Sequence, residues 1–397
     1  GCAFYVFWFS REISNTARQG RLIRWDVDWN ILGWQIDTIF PQVVVGAVGL
    51  VLLLEASRRA LGPALTVVGA VFLAYSYFGT GWLIPELIEH SGRSFNGIVN
   101  TQWYDTNVGV FGIPLGVSTA FVFLFVLFGA LLDKAGAGNY FIKLAFAGLG
   151  HLRGGPAKAA VVGSGMTGLI SGSSIANVVT TGTFTIPLMK RVGFTSERAG
   201  AVEVASSVNG QIMPPVMGAA AFLMVEYVGI SYFEVIKHAF LPAVISYIAL
   251  LYLVHLEAVK ADMQTLPKPV IRSFQASLLR MGIVVSSIMI LAGVIYFGIR
   301  FVQTALPGLS APVVLALMAL AYLGMLWIAA KKPDLEIDDP NAPVVKLPIA
   351  GEVAVTGLHY ILPIVVLVWF IMIEQRSPGL SAFYAVMVMI VILLTQR

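Results

Sequence analysis

Long apolar runs are the feature that most limits how this chain can fold. The clearest span residues 36–54, 65–78, 113–132, 241–256, 281–299, 311–330, 358–373 and 380–394. A transmembrane helix needs about 20 predominantly apolar residues, so the longer runs can each cross a bilayer, while the shorter ones depend on flanking aromatic residues. Only 12% of the residues are charged, against about 25% in an ordinary soluble domain. The sequence therefore predicts an all-α polytopic membrane protein.

Charge, cysteine and histidine usage exclude several classes of function. The net charge of +4 comes from basic residues in short loops between apolar runs, where membrane orientation accounts for them and a nucleic-acid surface is not needed. The single cysteine, Cys2, cannot form an internal disulfide or a cysteine-based metal cluster. The five histidines lack metal-ligand spacing, and no phosphate-binding loop is present. We expect neither an enzyme nor an ATP-driven pump.

Changes in composition divide the chain into four stretches. Residues 1–82 hold two membrane helices joined by a basic loop, which we place in the cytoplasm, and residues 83–112 form an external connection. Residues 113–259 are rich in glycine, proline and small side chains, and residues 260–397 add helices and polar linkers. Four arginines conflict with this topology, which puts them outside: Arg11, Arg18, Arg21 and Arg24. We expect both ends to be cuts through a longer protein.

The segment 159–189 is predicted to enter the membrane and return to the same side. Basic residues flank it on both sides, with Arg153 and Lys158 before it and Lys190 and Arg191 after it. The preference of basic residues for the cytoplasm therefore places both ends there. Each apolar arm, 160–170 and 178–188, would be roughly 18 Å long as a helix, which is shorter than a hydrocarbon core of about 30 Å. A re-entrant helical hairpin satisfies both observations.

The middle of this segment is polar, with Ser173, Ser174 and Asn177 close together. Irregular backbone at membrane depth is tolerated only inside protein or beside an aqueous cavity. Helix ends there offer carbonyls to cations and amides to anions, and oxygen-only ligands suit a hard cation. The alternative is that the small residues of the segment, such as Gly168 and Gly172, merely allow ordinary helices to pack tightly.

A second break is expected in the helix 197–227, at Asn209-Gly-Gln-Ile-Met-Pro-Pro-Val-Met-Gly218. The double proline removes two amide donors and leaves preceding carbonyls without helical partners. The alternative is a simple kink. Two broken elements close together in sequence point to a transporter binding site.

One carboxylate, Glu203, lies on the helix that leads into this break. Carboxylates within membrane segments are functional candidates, so Glu203 is a candidate proton relay. The alternative places it near the cytoplasmic end of the helix, neutralised by Arg198.

Two stretches carry a family resemblance: "GHLRGGPAKAAVVGSGMTGLISGSSIANVVTTGTFTIPLMKRVGF" and "NGQIMPPVMGAAAF". They resemble the large membrane subunit of tripartite ATP-independent periplasmic (TRAP) transporters. "LEASRRALG", "FGIPLGVS" and "VHLEA" are similar to the fused small-plus-large type that works with TAXI-class binding proteins. The resemblance covers the chain from about residue 31 onward.

The resemblance implies a secondary transporter with an elevator-like moving domain in the bacterial inner membrane. It would take a small organic anion, usually a carboxylate, from a periplasmic binding protein, with Na+ as the usual coupling ion. Residues 1–82 would be a scaffold-like small subunit. The rest would form the first half of an inverted repeat, whose second half is missing here.

The resemblance also implies site residues. One Na+ site would lie at the hairpin tip and on the broken helix facing it: Ser173, Ser174, Asn177, Gly210, Gln211, Met213 and Pro214. Half of a substrate cleft would be lined by Ser171, Gly172, Asn209 and Pro215. Many relatives have Asp where Asn177 stands and Ser where Val216 stands, and the loss of a carboxylate weakens a purely electrostatic cation site.

Three other functions are alternatives to Na+-coupled carboxylate uptake. A proton-coupled carboxylate transporter would use Glu203. A passive channel would need a selectivity ring or a charged pore lining, and neither is evident. A membrane-embedded enzyme would need converging acids, histidines or metal ligands, which are also not evident. The identity of the substrate depends on the binding protein and on the missing half.

Overall fold

Helices make up nearly all the regular structure in the computed structural model of the chain, which describes residues 2–9, 25–31, 34–79, 85–105, 108–267, 274–305, 310–329, 331 and 347–395. The predicted fold class, an all-α polytopic membrane protein, is confirmed. The chain divides into two units, Gly1–Thr119 and Ala120–Arg397. The four arginines of segment 11–24 and most of the linker 331–348 lie outside the described residues.

The first unit contains short helices, a β-hairpin and a pair of longer helices. Helix α1 spans Cys2–Trp8, strands β1 and β2 span Trp25–Ile31 and Trp34–Ile39, helices α2 and α3 span Pro41–Leu61 and Pro63–Phe78, and helix α4 spans Phe95–Val99 and continues as a wider turn over Asn100–Tyr104. The strands pair antiparallel, with Trp25 opposite Ile39 and Ile31 opposite Trp34. Val43 on α2 packs against Val99, Trp103 and Tyr104.

The first predicted membrane run, 36–54, begins as a strand and not as a helix. Its first residues belong to β2, and α2 begins at Pro41, with Phe40 extended before it. Proline at the first helical position has its φ preset for a helix, and it pushes the preceding residue out of the helical region. Apolar, β-branched residues such as Ile36 and Ile39 fit a strand as well as a helix, so hydropathy alone did not separate the two.

In the described residues of the second unit, all the regular secondary structure is helical. Its helices are α5 (Ile113–Lys134, which begins in the first unit), α6 (Ala137–Leu149), α7 (Gly155–Ser171), α8 (Ser174–Arg191), α9 (Ser196–Gly210), α10 (Ala219–Val228), α11 (Tyr232–Lys260), α12 (Phe274–Ala305), α13 (Ser310–Ala329), α14 (Ala350–Thr356), α15 (Leu358–Ile373) and α16 (Pro378–Thr395). A buried core joins α7, α8, α9 and α11, with Val161, Met189, Ala199 and Val254 among its members.

Within the described residues, four helices are long and apolar enough to cross a membrane: α5, α11, residues 285–302 of α12, and α16. Helices α14 and α15 meet at 57° and together pass the same test. The chain is therefore a multi-pass membrane protein. The predicted run 65–78 lies on α3, a 16-residue helix that is shorter than a membrane span and is bounded by Gly62 and Gly79.

Charged contacts hold the C-terminal end of α11 to the segments that flank the predicted hairpin. Arg153 donates to the carbonyl of Met263 (2.8 Å) and pairs with Asp262. The ammonium of Lys158 lies 3.0 Å from Nδ1 of His255. Charged side chains are expensive inside a bilayer. This end of the second unit therefore fits a membrane surface.

Candidate functional site

The polar segment singled out in the sequence is a turn between two antiparallel helices, α7 and α8. Helix α7 ends at Gly172, whose backbone is left-handed (φ 58°, ψ 0°), a conformation that glycine adopts without the steric cost of a Cβ. Ser173 is extended, and its hydroxyl accepts a hydrogen bond from the amide of Ala176. This is an ordinary N-terminal cap.

The two arms are longer than the apolar stretches counted in the sequence. Helix α7 has 17 residues and α8 has 18, or roughly 26 Å each at 1.5 Å per residue. Pro156 allows α7 to begin early, and α8 continues through its threonines and Pro187. The re-entrant placement therefore stays a prediction that rests on the basic residues at both ends.

Asn177 on α8 is a buried residue whose side chain bonds to α7. Its side chain is 2% exposed. Nδ2 donates to both the carbonyl and the hydroxyl of Ser164, at 2.9 Å each, and Oδ1 accepts from the hydroxyl of Thr167 at 2.5 Å. A buried amide with both ends bonded holds its neighbours in a fixed arrangement. Asn177 is therefore placed to set the spacing of the arms.

The second predicted break separates α9 from α10. Residues 211–218 form tight turns in which Gly218 donates its amide to the carbonyl of Gln211 at 2.7 Å. The Pro214–Pro215 peptide is cis. The hydroxyl of Tyr232, at the start of α11, donates to the carbonyls of both Pro215 and Val216 at 2.8 Å. The structure thus buries the double proline and ties its backbone to α11.

The hairpin tip and the double-proline break touch each other. A Cβ built on Gly172 would lie 2.3 Å from the carbonyl oxygen of Met217, and one on Gly168 would lie 2.6 Å from the Cα of Gly210. Nε2 of Gln211 donates to the hydroxyl of Ser174 at 2.8 Å. Backbones approach this closely only where side chains are absent. Small residues therefore do allow close packing here. The two elements that they bring together are the hairpin and the segment that is broken at the double proline.

Some predicted site residues point elsewhere. The side-chain oxygen of Asn209 accepts from Ser246 on α11 at 3.0 Å. Met213 packs against the buried core, and Pro214 is buried. Gln211 and Ser174 meet at the tip beside Gly172, and Gly210 packs against Gly168 one turn below it. Asn209 and Met213 face α11 and the core instead.

Glu203 is completely buried, at 0% exposure, and faces α8. The hydroxyls of Thr181 and Thr185 donate to its two carboxylate oxygens, and Ser207 donates to one of them at 3.3 Å. Arg198, considered as its partner, pairs instead with Glu257 at 3.1 Å. Within the described residues, Glu203 forms no ion pair. Hydroxyls and not a cation surround this carboxylate.

A chain of hydrogen bonds links Glu203 to the hairpin. Ser207 bonds to Glu203, its hydroxyl lies 3.1 Å from that of Ser164, and Ser164 accepts from Asn177. Thr181, Thr185, Ser164 and Ser207 were not among the site residues predicted from the sequence. Thr181 and Thr185 are four residues apart, as are Glu203 and Ser207, so each pair lies on one helix face. This spacing was the signal in the sequence that could have identified them.

A pocket of about 260 Å³ opens beside the hairpin. Ser171, Ser173, Asn177 and Thr180 line one side, and α5 contributes Asp133. The hydroxyl of Thr180 donates to Oδ2 of Asp133 at 3.4 Å. Asp133, which directly follows the apolar run 113–132, was also not predicted from the sequence. The structure thus brings the predicted tip residues together with a carboxylate from another helix.

Comparison with known proteins identifies similar chains. A family model described as "Tripartite ATP-independent periplasmic transporter, DctM component" matches residues 48–327. The chain is 34% identical over 91 residues to the C4-dicarboxylate TRAP transporter large permease protein DctM of Rhodobacter capsulatus. The aligned segment covers 23% of this chain and 21% of that protein.

Two further relatives match longer segments. The DctM protein of the same description from Pseudomonas aeruginosa is 28% identical over 156 residues, 38% of this chain and 35% of that protein. An uncharacterised protein of Sinorhizobium fredii is 27% identical over 206 residues, 51% of this chain and 48% of that protein. The chain thus spans about half or less of the length of the curated relatives that it matches.

Proposed function

Since this chain belongs to the DctM component family of the tripartite ATP-independent periplasmic transporters, we propose that it takes part in secondary active uptake of a small organic anion. The family consists of transport proteins, which confirms the prediction that the chain is not an enzyme. It also confirms the resemblance drawn from the hairpin and double-proline motifs. Two relatives are described as C4-dicarboxylate permeases, so carboxylates are the first substrate class to test.

The observation that supports this proposal is the contact between two broken elements. The tip at Gly172 and Ser174 meets the break at Gln211 and Met217 inside one helical unit. Helix ends and irregular backbone that meet in this way are characteristic of substrate and ion sites in secondary transporters. A rigid hairpin that carries half of such a site is also suited to elevator-like movement.

Na+ is the coupling ion in this proposal, and a periplasmic TAXI-type binding protein delivers the anion at the inner membrane. Serine hydroxyls, the side-chain amide oxygen of Gln211 and backbone carbonyls form a set of oxygen ligands, which a hard cation prefers. The amide of Asn177 would act on this set by holding the arms together. Residues 1–82 would serve as the small-subunit scaffold of a fused protein.

A second candidate couples uptake to protons through Glu203. One observation favours it: the carboxylate is fully buried, bonded by three hydroxyls, and linked through Ser207 and Ser164 to the hairpin. Burial disfavours an ionised carboxylate that lacks a cationic partner. A proton carried on Glu203 would remove that charge.

Uptake into proteoliposomes tests both candidates. The full-length protein and its binding protein would be reconstituted, and uptake of radiolabelled succinate and other small carboxylates measured under an imposed Na+ gradient or an imposed pH gradient. The leading proposal expects uptake driven by Na+. Uptake that ignores Na+ and follows the pH gradient would favour Glu203 instead, and ionic currents without a driving gradient for the anion would indicate a channel.

A further inference from the structure

Another pair of helix breaks meets within the second unit, away from the double proline. One is the bend between α14 and α15, which are joined at Gly357 and meet at 57°. The other lies between α5 and α6, where Gly136 is left-handed. The groups that join the two breaks are 214 and 225 residues apart in sequence. The fold therefore brings together two interruptions that belong to distant parts of the chain.

Two tyrosines hold these breaks together, one from each side. The hydroxyl of Tyr140 on α6 donates to the carbonyl of Ala354 on α14 at 3.0 Å. In return, the hydroxyl of Tyr360 on α15 donates to the carbonyl of Ala135 at 2.6 Å. Both tyrosines are buried. Carbonyls in the last turn of a helix lack partners within that helix, so each tyrosine satisfies backbone at the opposite break. We call these two tyrosines and their two bonds the tyrosine latch.

Gly357 allows the latch to close. A Cβ built on Gly357 would lie 2.3 Å from Cδ2 of Tyr140, so the ring lies against the backbone of the bend, where a larger side chain would not fit. Helix α6 packs in turn against the hairpin arm α7, where a Cβ built on Gly163 would lie 3.2 Å from the Cα of Ile142. The bend is therefore connected to the hairpin through α6.

His359 is buried beside the latch without a hydrogen bond. It is 5% exposed, and among the described residues neither Nδ1 nor Nε2 has a partner. The centroid of its ring lies 4.1 Å from that of Tyr360. A neutral imidazole has one donor and one acceptor, and burying them unbonded is unfavourable. The closed latch thus contains a polar group that would gain by reaching water.

The bend combines contacts that favour the closed arrangement with one that opposes it. We propose that the bend at Gly357 is a conformational switch used during uptake, held closed by Tyr140 and Tyr360 and biased towards opening by His359. A switch needs two arrangements that differ little in free energy, and the unbonded imidazole keeps the closed one from dominating. The inference rests on the proposed function, because opening of the bend is assigned a part in uptake.

Chemical labelling of a buried cysteine measures the opening without a substrate. In the full-length protein, Val353→Cys places a thiol at a buried position on α14, and Cys2 and any other cysteine are replaced by serine. A buried thiol reacts with a small maleimide only when its surroundings open. Tyr140→Phe and Tyr360→Phe each remove one hydrogen bond of the latch, so we expect each to label about two- to tenfold faster than the parent protein.

His359→Leu distinguishes a switch from an ordinary core contact. Leucine fills a similar volume without polar atoms, so the closed bend no longer contains an unbonded group. We expect labelling about two- to tenfold slower than in the parent, an unfolding midpoint no lower than that of the parent, and slower uptake, because the bend opens less often. His238→Leu, at an exposed histidine on α11, is the matched control and should change none of the three.

A second apolar variant, His359→Phe, carries the same expectation if His359→Leu does not fold. Failure of both to fold would overturn the proposal, because it requires an apolar side chain to be tolerated at this position. Unchanged or faster labelling in the folded His359 variants would overturn it, as would unchanged labelling in both tyrosine variants. Slower labelling without slower uptake would also contradict it, since the bend would then have no part in uptake.

Labelling and uptake on the same proteins separate failure of the switch from failure of the proposed function. Na+-driven carboxylate uptake together with unchanged labelling in every variant would reject the switch and keep the function. Labelling that changes as expected, in a protein whose wild type takes up no carboxylate under any gradient, would keep the two arrangements of the bend and reject the function.

Discussion

At the residue scale, Asn177 and Glu203 use buried polar contacts in different ways. The amide of Asn177 binds two groups on Ser164 and one on Thr167. All three belong to the opposite arm of the hairpin. Glu203 instead receives hydroxyls from the neighbouring helix and from its own. One residue fixes the shape of the hairpin, and the other links the hairpin to α9.

Asn177→Ala is expected to lower uptake at least tenfold while the protein is still produced. The substitution removes three buried hydrogen bonds between the two arms, to Ser164 and Thr167, worth about 0.5–1.5 kcal/mol each, and so loosens the tip. Thr183→Ala is the control, because the Thr183 hydroxyl is exposed and bonds only to its own helix. Uptake in proteoliposomes measures both, and wild-type uptake by Asn177→Ala would remove this residue from the site.

Glu203→Gln separates the two coupling candidates. The glutamine has nearly the same shape but cannot carry a titrating proton. We expect Na+-driven uptake to persist and any additional rate driven by an inward proton gradient to disappear. The initial rate is measured under each gradient alone. A folded variant that loses Na+-driven uptake as well would contradict this expectation, because Glu203 would then be needed for Na+ coupling.

At the element scale, close backbone contact holds the hairpin against the double-proline break. Gly168→Ala should disturb it, since the new Cβ would lie 2.6 Å from the Cα of Gly210. Overpacking of this kind typically costs about 1–3 kcal/mol. We expect a lower midpoint of thermal unfolding and slower uptake. Gly200→Ala is the matched control on α9, where nothing lies within 4 Å of the added Cβ. Equal midpoints for the two variants would show that the contact is not tight.

Tyr232→Phe tests the attachment of the break to α11. The lost hydroxyl leaves the buried carbonyls of Pro215 and Val216 without that donor, which costs about 1–3 kcal/mol. We expect a lower unfolding midpoint and impaired uptake. Tyr252→Phe, at a position that is 61% exposed on the same helix, should change neither. A Tyr232→Phe protein as stable and active as Tyr252→Phe would show that the break is held by packing alone.

These elements show what a single sequence can predict. The helical class and the positions of both breaks follow from apolar runs, glycine and proline, which act locally. The partners of Glu203 do not follow from such local signals, because Thr181 and Thr185 contact it only as a result of how α8 packs against α9. Asp133 was missed for the same reason, and β2 was missed because Ile36 and Ile39 suit either element.

At the scale of the whole molecule, the second unit combines membrane-length helices with a core of shorter, broken ones. Helices α5, α11 and α16 have the length and hydropathy of spans, whereas α7, α8 and α9 carry the buried hydroxyls and Glu203. Polar groups inside a membrane protein persist where protein surrounds them. This division suits a transport site enclosed by the protein and held within the bilayer.

The most direct test is carboxylate uptake by the full-length protein with its binding protein in proteoliposomes. The account predicts that at least one small carboxylate accumulates only under an inward Na+ gradient, and that Gly200→Ala retains this activity while Asn177→Ala loses it. Equal accumulation without any ion gradient, or full activity in Asn177→Ala, would contradict the central claim that the hairpin and the double-proline break form an ion-coupled transport site.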